Sequence, residues 1–215
     1  VDVDLPRLDL GLLKPLAGAG LGGHASLVGS LSGPYAHLSA HARIEAENAR
    51  VLDFPIADRL SMQLDSPNLT SLLFTDISAV RGKTHYVGDF ALDFNAPEMQ
   101  INTNLKFLEG KIKDVSSIFV DLGNLDADFQ GNLALNGGAY SLNGSSQILL
   151  QNINLYGEHF EKGSASAWME NGRFTLDHML LEHPSLNGID SLLVRGSIGE
   201  GWKTNMGYLW DGADL

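Results

Sequence analysis

The chain has 215 residues, 44% of them apolar, and a mean hydropathy of −0.02, which places it among folded proteins rather than disordered ones. Its 26 acids against 14 bases give a net charge of −12, and the absence of any basic run argues against nucleic acid or anionic headgroup surfaces as partners. The lack of cysteine excludes a disulfide framework, thiolate zinc sites and cysteine nucleophiles, and no apolar run approaches the ~18 residues of a membrane-spanning helix.

The chain opens on the strand-like Val1-Asp-Val-Asp-Leu, an abrupt start that suggests a piece of a longer protein. Leu8, Leu12, Leu13 and Leu16 then fall at helical spacing, with Gly18 to stop the run, so a short helix is expected over residues 8–16. The glycine-rich stretch 18–23 has no following Lys-Ser/Thr and reads as a hinge, not a phosphate loop.

From residue 36 the pattern has period two. Ala36, Leu38, Ala40, Ala42, Ile44 and Ala46 alternate with His37, Ser39, His41, Arg43, Glu45 and Glu47. A helix would scatter both sets around its circumference, whereas a strand sends them to opposite faces. Shorter runs repeat the pattern at Leu60/Met62/Leu64, Gly88/Phe90/Leu92/Phe94 and Ile101/Thr103/Leu105/Phe107. A second weak helix is expected over residues 116–122. The longest later strand carries Leu125, Ala127, Phe129, Gly131, Leu133 and Leu135 on one face, followed by Phe174/Leu176 and Leu192/Val194/Gly196/Ile198. Asn-Gly at 136–137, 143–144, 171–172 and 187–188 predicts type I′ hairpin turns, which need positive φ at both central residues.

A twelve-residue strand spans ~40 Å at ~3.3 Å per residue. Long amphipathic strands joined by short turns make a wide, largely antiparallel sheet with one large apolar face and few helices to cover it. Such a sheet must curl over that face or stack on another sheet. Gly88-Asp-Phe-Ala-Leu-Asp-Phe, Gly131-Asn-Leu-Ala-Leu-Asn and Gly172-Arg-Phe-Thr-Leu-Asp share a register at about forty-residue spacing, consistent with an internal repeat or with any amphipathic meander.

Leu8-Asp-Leu-Gly-Leu-Leu-Lys-Pro-Leu, followed by a strand with Gly23, Ala25, Leu27, Gly29, Leu31, Gly33 and Pro34, resembles the periplasmic repeats of the TamB and AsmA-like families. The resemblance covers residues 1 to about 95; the rest follows by pattern, and repeat units 1–95 and 96–215 within one elongated segment are its corollary. It implies a sheet folded into an open trough (a β-taco), apolar inside and polar outside. It further implies a periplasmic protein anchored to the inner membrane through a segment outside this sequence, without catalytic residues or cofactor. The implied function is to move phospholipid, or to assist outer-membrane protein assembly with partners of the Omp85 type. Physically, a trough that shields acyl chains from water gains ~0.8 kcal/mol per buried CH₂ while headgroups stay wet at the seam. The predicted lining is Ala36, Leu38, Ala40, Ala42 and Ile44, then Phe90, Leu92 and Phe94, then Leu125, Phe129, Leu133 and Leu135. Ala127 and Gly131 are expected to leave room between these large side chains for a guest chain.

Other chemistry is weaker. His37 and His41 would stand ~13 Å apart on a strand, too far to share a metal. Glu158, Glu161 and Glu182 could be imagined as a glycosidase pair, but acid pairs arise by chance in so acidic a chain. No Gly-x-Ser-x-Gly elbow or calcium repeat occurs. Trp168, Trp202, Tyr208 and Trp210 could form a carbohydrate or lipid platform, or simply close the end of a core. A non-enzymatic acyl-chain conduit is therefore the leading expectation. Its rivals are a scaffold acting by β-augmentation and a secreted β-sandwich or solenoid that binds carbohydrate or a surface partner.

Overall fold

The computed structural model describes residues 1–13, 21–34, 37–51, 54–119, 125–138, 141–171, 173–185, 188–198 and 204–211. The chain is nearly all β. Among the described residues it forms one sheet of thirteen strands in strict sequence order, every neighbouring pair antiparallel. The first strands are β1 (Asp2–Asp9), β2 (Leu21–Ser32), β3 (Ser39–Val51), β4 (Phe54–Ser66) and β5 (Ser71–Arg81). Next come β6 (Thr84–Asp93), β7 (Gln100–Lys111), the helix α1 (Ile112–Phe119), β8 (Leu125–Gly138) and β9 (Asn143–Leu155). The sheet ends with β10 (Glu158–Glu170), β11 (Arg173–Ser185), β12 (Gly188–Ile198) and β13 (Thr204–Asp211). Among the described residues β1 does not pair with β13, so the sheet is an open, curled trough and not a barrel.

Because the strands form a meander, each has one end at each of two margins. The helix margin carries α1, the C-terminal ends of the odd strands and the N-terminal ends of the even ones. At the opposite, free margin the described residues include no helix of four or more residues. The packed core lies toward the helix margin. One cluster joins Ile112 of α1 to Leu125, Ala127, Phe129, Leu150, Ile153, Phe160 and Leu181 of β8–β11. A second gathers Ala25, Ala46, Ala49, Ala57 and Ala79 of β2–β5, with Leu10, Ile44, Ile56, Leu60 and Tyr86 against it. Alanines there let strands and the Tyr86 ring approach closely. The Tyr86 hydroxyl crosses β5 and donates to the Ile56 carbonyl of β4 at 2.9 Å, as curvature of the sheet requires.

Bulges supply that curvature. The register shifts in most pairs, and non-glycine residues adopt positive φ at Asn48, Asp76 and Asn152 inside β3, β5 and β9. A bulge bends its strand and sharpens the local twist. Gly88 and Gly131 mark close approaches: a Cβ there would stand 2.0 Å from the Asn104 carbonyl oxygen and 2.3 Å from that of Gln147. The shared glycine position of the suspected repeat is thus, at two of its three occurrences, a place where the backbone of the next strand comes too near for a side chain.

Three expectations are corrected. Leu8 belongs to β1, paired with Ala25, and helical structure is confined to one 3-10 turn over Leu10–Leu13; residues 14–16 lie outside the described residues. An isolated helix this short is marginal in water, and ladder pairing with β2 satisfies the same backbone groups. The Asp9 carboxylate accepts from Gly11 N–H at 2.9 Å and fixes the turn. The second helix begins four residues earlier than predicted, because Ile112 and Val115 pack on the core cluster. Of the four Asn-Gly pairs, 171–172 has Asn171 at φ 49° directly after β10, and Gly172 lies outside the described residues. Pairs 136–137 and 143–144 instead lie within β8 and β9 and flank a longer loop, and Asn187 lies outside the described residues. The positive-φ turn between β9 and β10 is made by Tyr156-Gly157. Across the suspected repeat boundary at residue 95, β6 pairs with β7 in the same sheet.

Candidate functional site: an uncharged lane across thirteen strands

Strand pairing aligns residues into rows perpendicular to the strands, inward-facing over β1–β11. In the first row each residue is the cross-strand partner of the next: Val3, Gly29, Ala42, Leu64, Phe74, Phe90 and Thr103 over β1–β7. It continues through Leu135, Gly144, Met169, Phe174, Ile198 and Thr204 over β8–β13. A second row, nearer the helix margin, runs through Leu5, Leu27, Ile44 and Met62. After the Asp76 bulge it resumes at Ile77, Gly88, Leu105, Leu133, Ser146, Ala167, Leu176, Gly196 and Met206. The third comprises Leu8, Ala25, Ala46, Leu60, Ala79, Tyr86 and Phe107, then Gly131, Ile148, Ala165, Met179, Val194 and Tyr208.

No position in these three rows is charged, although the chain carries 40 charged side chains, 26 acidic and 14 basic. Thirteen strands at a spacing of ~4.8 Å make the lane about 58 Å long. Two of its hydroxyls are turned into the backbone: Thr103 Oγ1 donates to the Asp89 carbonyl and Ser146 Oγ to the Asn132 carbonyl, each at 2.9 Å. The opposite face is polar over much of its area. His41 forms an ion pair with Asp65, Arg43 meets Glu45 at 3.0 Å, and Asn152 donates to Asp128 at 2.8 Å. A shallow, open depression is lined by Val28, Ser30, His41, Ala42, Arg43, Gln63, Leu64 and Asp65.

Exposure is graded across the lane. Toward the helix margin Ala79, Ala127, Ile153 and Leu181 are fully buried and Phe160 nearly so. Rings of Tyr86, Phe107 and Phe129 form a ladder with centroids 5.6 and 5.3 Å apart. Toward the free margin Ala42, Leu64, Phe74, Phe90, Leu105, Leu133 and Leu135 are only half-buried. Among the described residues no second layer of the chain lies over them.

The helix margin is closed by a hydrogen-bonded knot. Asp114, in the first turn of α1, accepts from Lys83 N–H at 2.8 Å and from Thr84 Oγ1 at 3.0 Å. Lys111 N–H donates to Thr84 Oγ1 at 3.0 Å, and Arg81 donates to the Pro55 carbonyl. Burial pushes the Tyr86 phenol up to about 12, against a small opposing pull from Arg81. The Lys111 ammonium, hydrogen-bonded to Asp128, is raised, and the Asp128 carboxyl is lowered by Lys111 and Asn152. At the free margin the Asn95 backbone and side-chain N–H groups hold Asp93 below the usual carboxylate range.

Of the predicted lining, Ala42, Phe90 and Leu135 fall in the first row and Ile44 and Leu133 in the second. Ala40 and Leu92 occupy the row next to the free margin, and Leu38 precedes β3, half-buried. Ala36 lies outside the described residues. Phe94 is past the end of β6 and 46% exposed, its N–H donating to the Thr70 carbonyl, so it belongs to the rim. Leu125 and Phe129 are in the packed cluster, 7% and 4% exposed, not on an open wall. The spaces expected beside Ala127 and Gly131 are occupied by the protein itself: Ala127 is fully buried, the next strand crowds Gly131, and the Phe129 ring covers Gly110.

Sequence reasoning missed Phe74, Ile148, Ala167 and Met169, which sit on β5, β9 and β10. Apolar residues on both faces, such as Leu72-Leu-Phe and Ile148-Leu-Leu, hide the alternation there. Ser166, His178 and Asp177 have the residue types of a hydrolytic triad but not its geometry. Ser166 Oγ at 2.9 Å and Asp177 Oδ2 at 3.0 Å meet the same Nδ1, whereas the relay needs both ring nitrogens. Comparison with known protein families, with curated proteins and with solved structures finds no match.

Proposed function

We propose that this chain is a non-enzymatic lipid-conduit segment of the TamB and AsmA-like kind, which shields phospholipid acyl chains between inner and outer membrane. The observation that carries this reading is the uncharged lane continuing through all thirteen strands without a covering layer among the described residues. In a packed core such a face would be covered, because apolar surface left in water costs ~25 cal/mol per Å². A guest chain along the lane recovers ~0.8 kcal/mol per CH₂ removed from water. The continuity serves movement: a lipid shifting from one strand to the next meets no charged position in the three rows. The residues assigned to the lining are Ala42, Ile44, Leu64, Phe74, Phe90 and Leu133 with their row partners, and the setting is periplasmic.

Mass spectrometry of organic extracts from the purified protein tests this. Phospholipid co-purifying with the folded chain is expected; its absence, together with failure to take up added phospholipid, would overturn the proposal.

A further inference from the structure

We propose that lipid enters the lane over the free margin and keeps its headgroup there, on a polar rail of hydroxyl, amide and carboxylate side chains, with the acyl chains pointing toward the helix margin. This rests on the lipid-conduit reading and adds a direction to it. The first ground is obstruction. At the helix margin the inner face is filled by the chain's own side chains, and α1 lies against β7 and β8 and reaches β4, tied down through Asp114. A headgroup there would have to displace packed residues that are fully buried.

The second ground is depth. From Gln100 at the free margin to Phe107 at the aromatic ladder, β7 advances about 23 Å at ~3.3 Å per residue. One leaflet of a bilayer is about 15 Å of hydrocarbon, so tails laid inward from the free margin fit before they reach the ladder. The third ground is the chemistry of the rim. Ser32 and Ser39 hydroxyls meet at 2.8 Å, Thr70 Oγ1 donates to Asn95 Oδ1 at 2.8 Å, and Asn95 Nδ2 donates to Ser71 Oγ at 3.0 Å. These groups hold one another and the Asp93 carboxylate, to which Asn95 Nδ2 also donates at 2.7 Å, so the rim is polar where the helix margin is packed.

Charge alone points the other way, since Lys83, Lys111 and Lys113 stand at the helix margin. Lys111 and Lys113, however, are bound to Asp128 at 2.6 Å and Asp126 at 3.0 Å. The two readings therefore predict opposite positions for the phosphate.

Two photoreactive phosphatidylethanolamines separate them, one carrying its reactive group on the headgroup and one at the acyl terminus. Each is loaded on the intact protein, irradiated, and mapped by peptide mass spectrometry. The headgroup probe is expected to label the connections at residues 66–71 and 94–99 several-fold more than residues 82–84 and 111–114. The acyl probe should favour residues around Phe107 and Ile148. Headgroup labelling concentrated at the helix margin, or equal at both, would overturn this inference while leaving the conduit intact. Labelling by neither probe would instead count against the conduit itself, and this inference would fall with it.

Discussion

The two margins of the trough are made by the same strands, yet one is dry and the other half-wet. Along β8, Phe129 at the helix margin is 4% exposed, while Leu133 and Leu135 further along are half-buried on the same face. Along β8 the difference does not lie in alternation, which runs unbroken from Leu125 to Leu135. It comes from what is added: alanines that let neighbours close in, an aromatic ladder, and α1 laid across strand ends. A curled single sheet therefore does not bury its inner face by curling alone. Where nothing is added, the face remains available.

The largest expected difference concerns charge placed on that face. Leu181→Asp puts an unpaired carboxylate in a fully buried position and is expected to unfold the helix-margin cluster, at a cost of several kcal/mol. Leu135→Asp, on the half-buried side, should leave circular dichroism and the denaturation midpoint near wild type while lowering bound lipid. Equal destabilisation by the two would erase the distinction between the margins.

Next is the knot. Asp114→Ala removes the acceptor for Lys83 N–H and Thr84 Oγ1 and is expected to cost about 1–3 kcal/mol in urea denaturation, with faster amide exchange in α1. Unchanged exchange in α1 would show that apolar packing alone holds it.

Alkaline titration acts on the same margin. The folded Tyr86 phenol is raised from 10.0 to about 12, so its stabilising effect is complete below pH 10. It is lost as pH climbs through about 12, because the unfolded state gives up its proton first. Loosening in that window should be absent from Tyr86→Phe, which cannot ionise. The smallest effect is expected at His41→Ser. The ion pair with Asp65 is solvent-exposed, and its loss should change stability by no more than about 0.5 kcal/mol.

Much of this architecture was legible in the sequence, for a physical reason. Strict alternation such as Ala40 to Glu47 reports a face directly, and it holds until the Asn48 bulge shifts the phase by one. The open face of Phe90, Leu133 and Leu135 was accordingly accessible to pattern reading. The closed margin was not, because its cause is tertiary. Nothing local to Phe129 announces that its ring covers Gly110 or that Ile112 packs in the same cluster. Leu8 illustrates the converse: helical spacing of leucines was present, but pairing with β2 overrode it. Outward-facing Leu73 and Leu149 hid Phe74 and Ile148 by putting apolar residues on both faces of β5 and β9.

The central claim is that the half-buried side of the lane, and not the outer face, holds acyl chains. A photo-crosslinking amino acid placed at Leu133 or at its outward neighbour Asn132 tests it in producing cells, with Phe129 as the packed-margin control. Phospholipid should be captured strongly from Leu133, weakly from Phe129 and hardly at all from Asn132. Equal capture from Leu133 and Asn132, or none from either, would contradict the account.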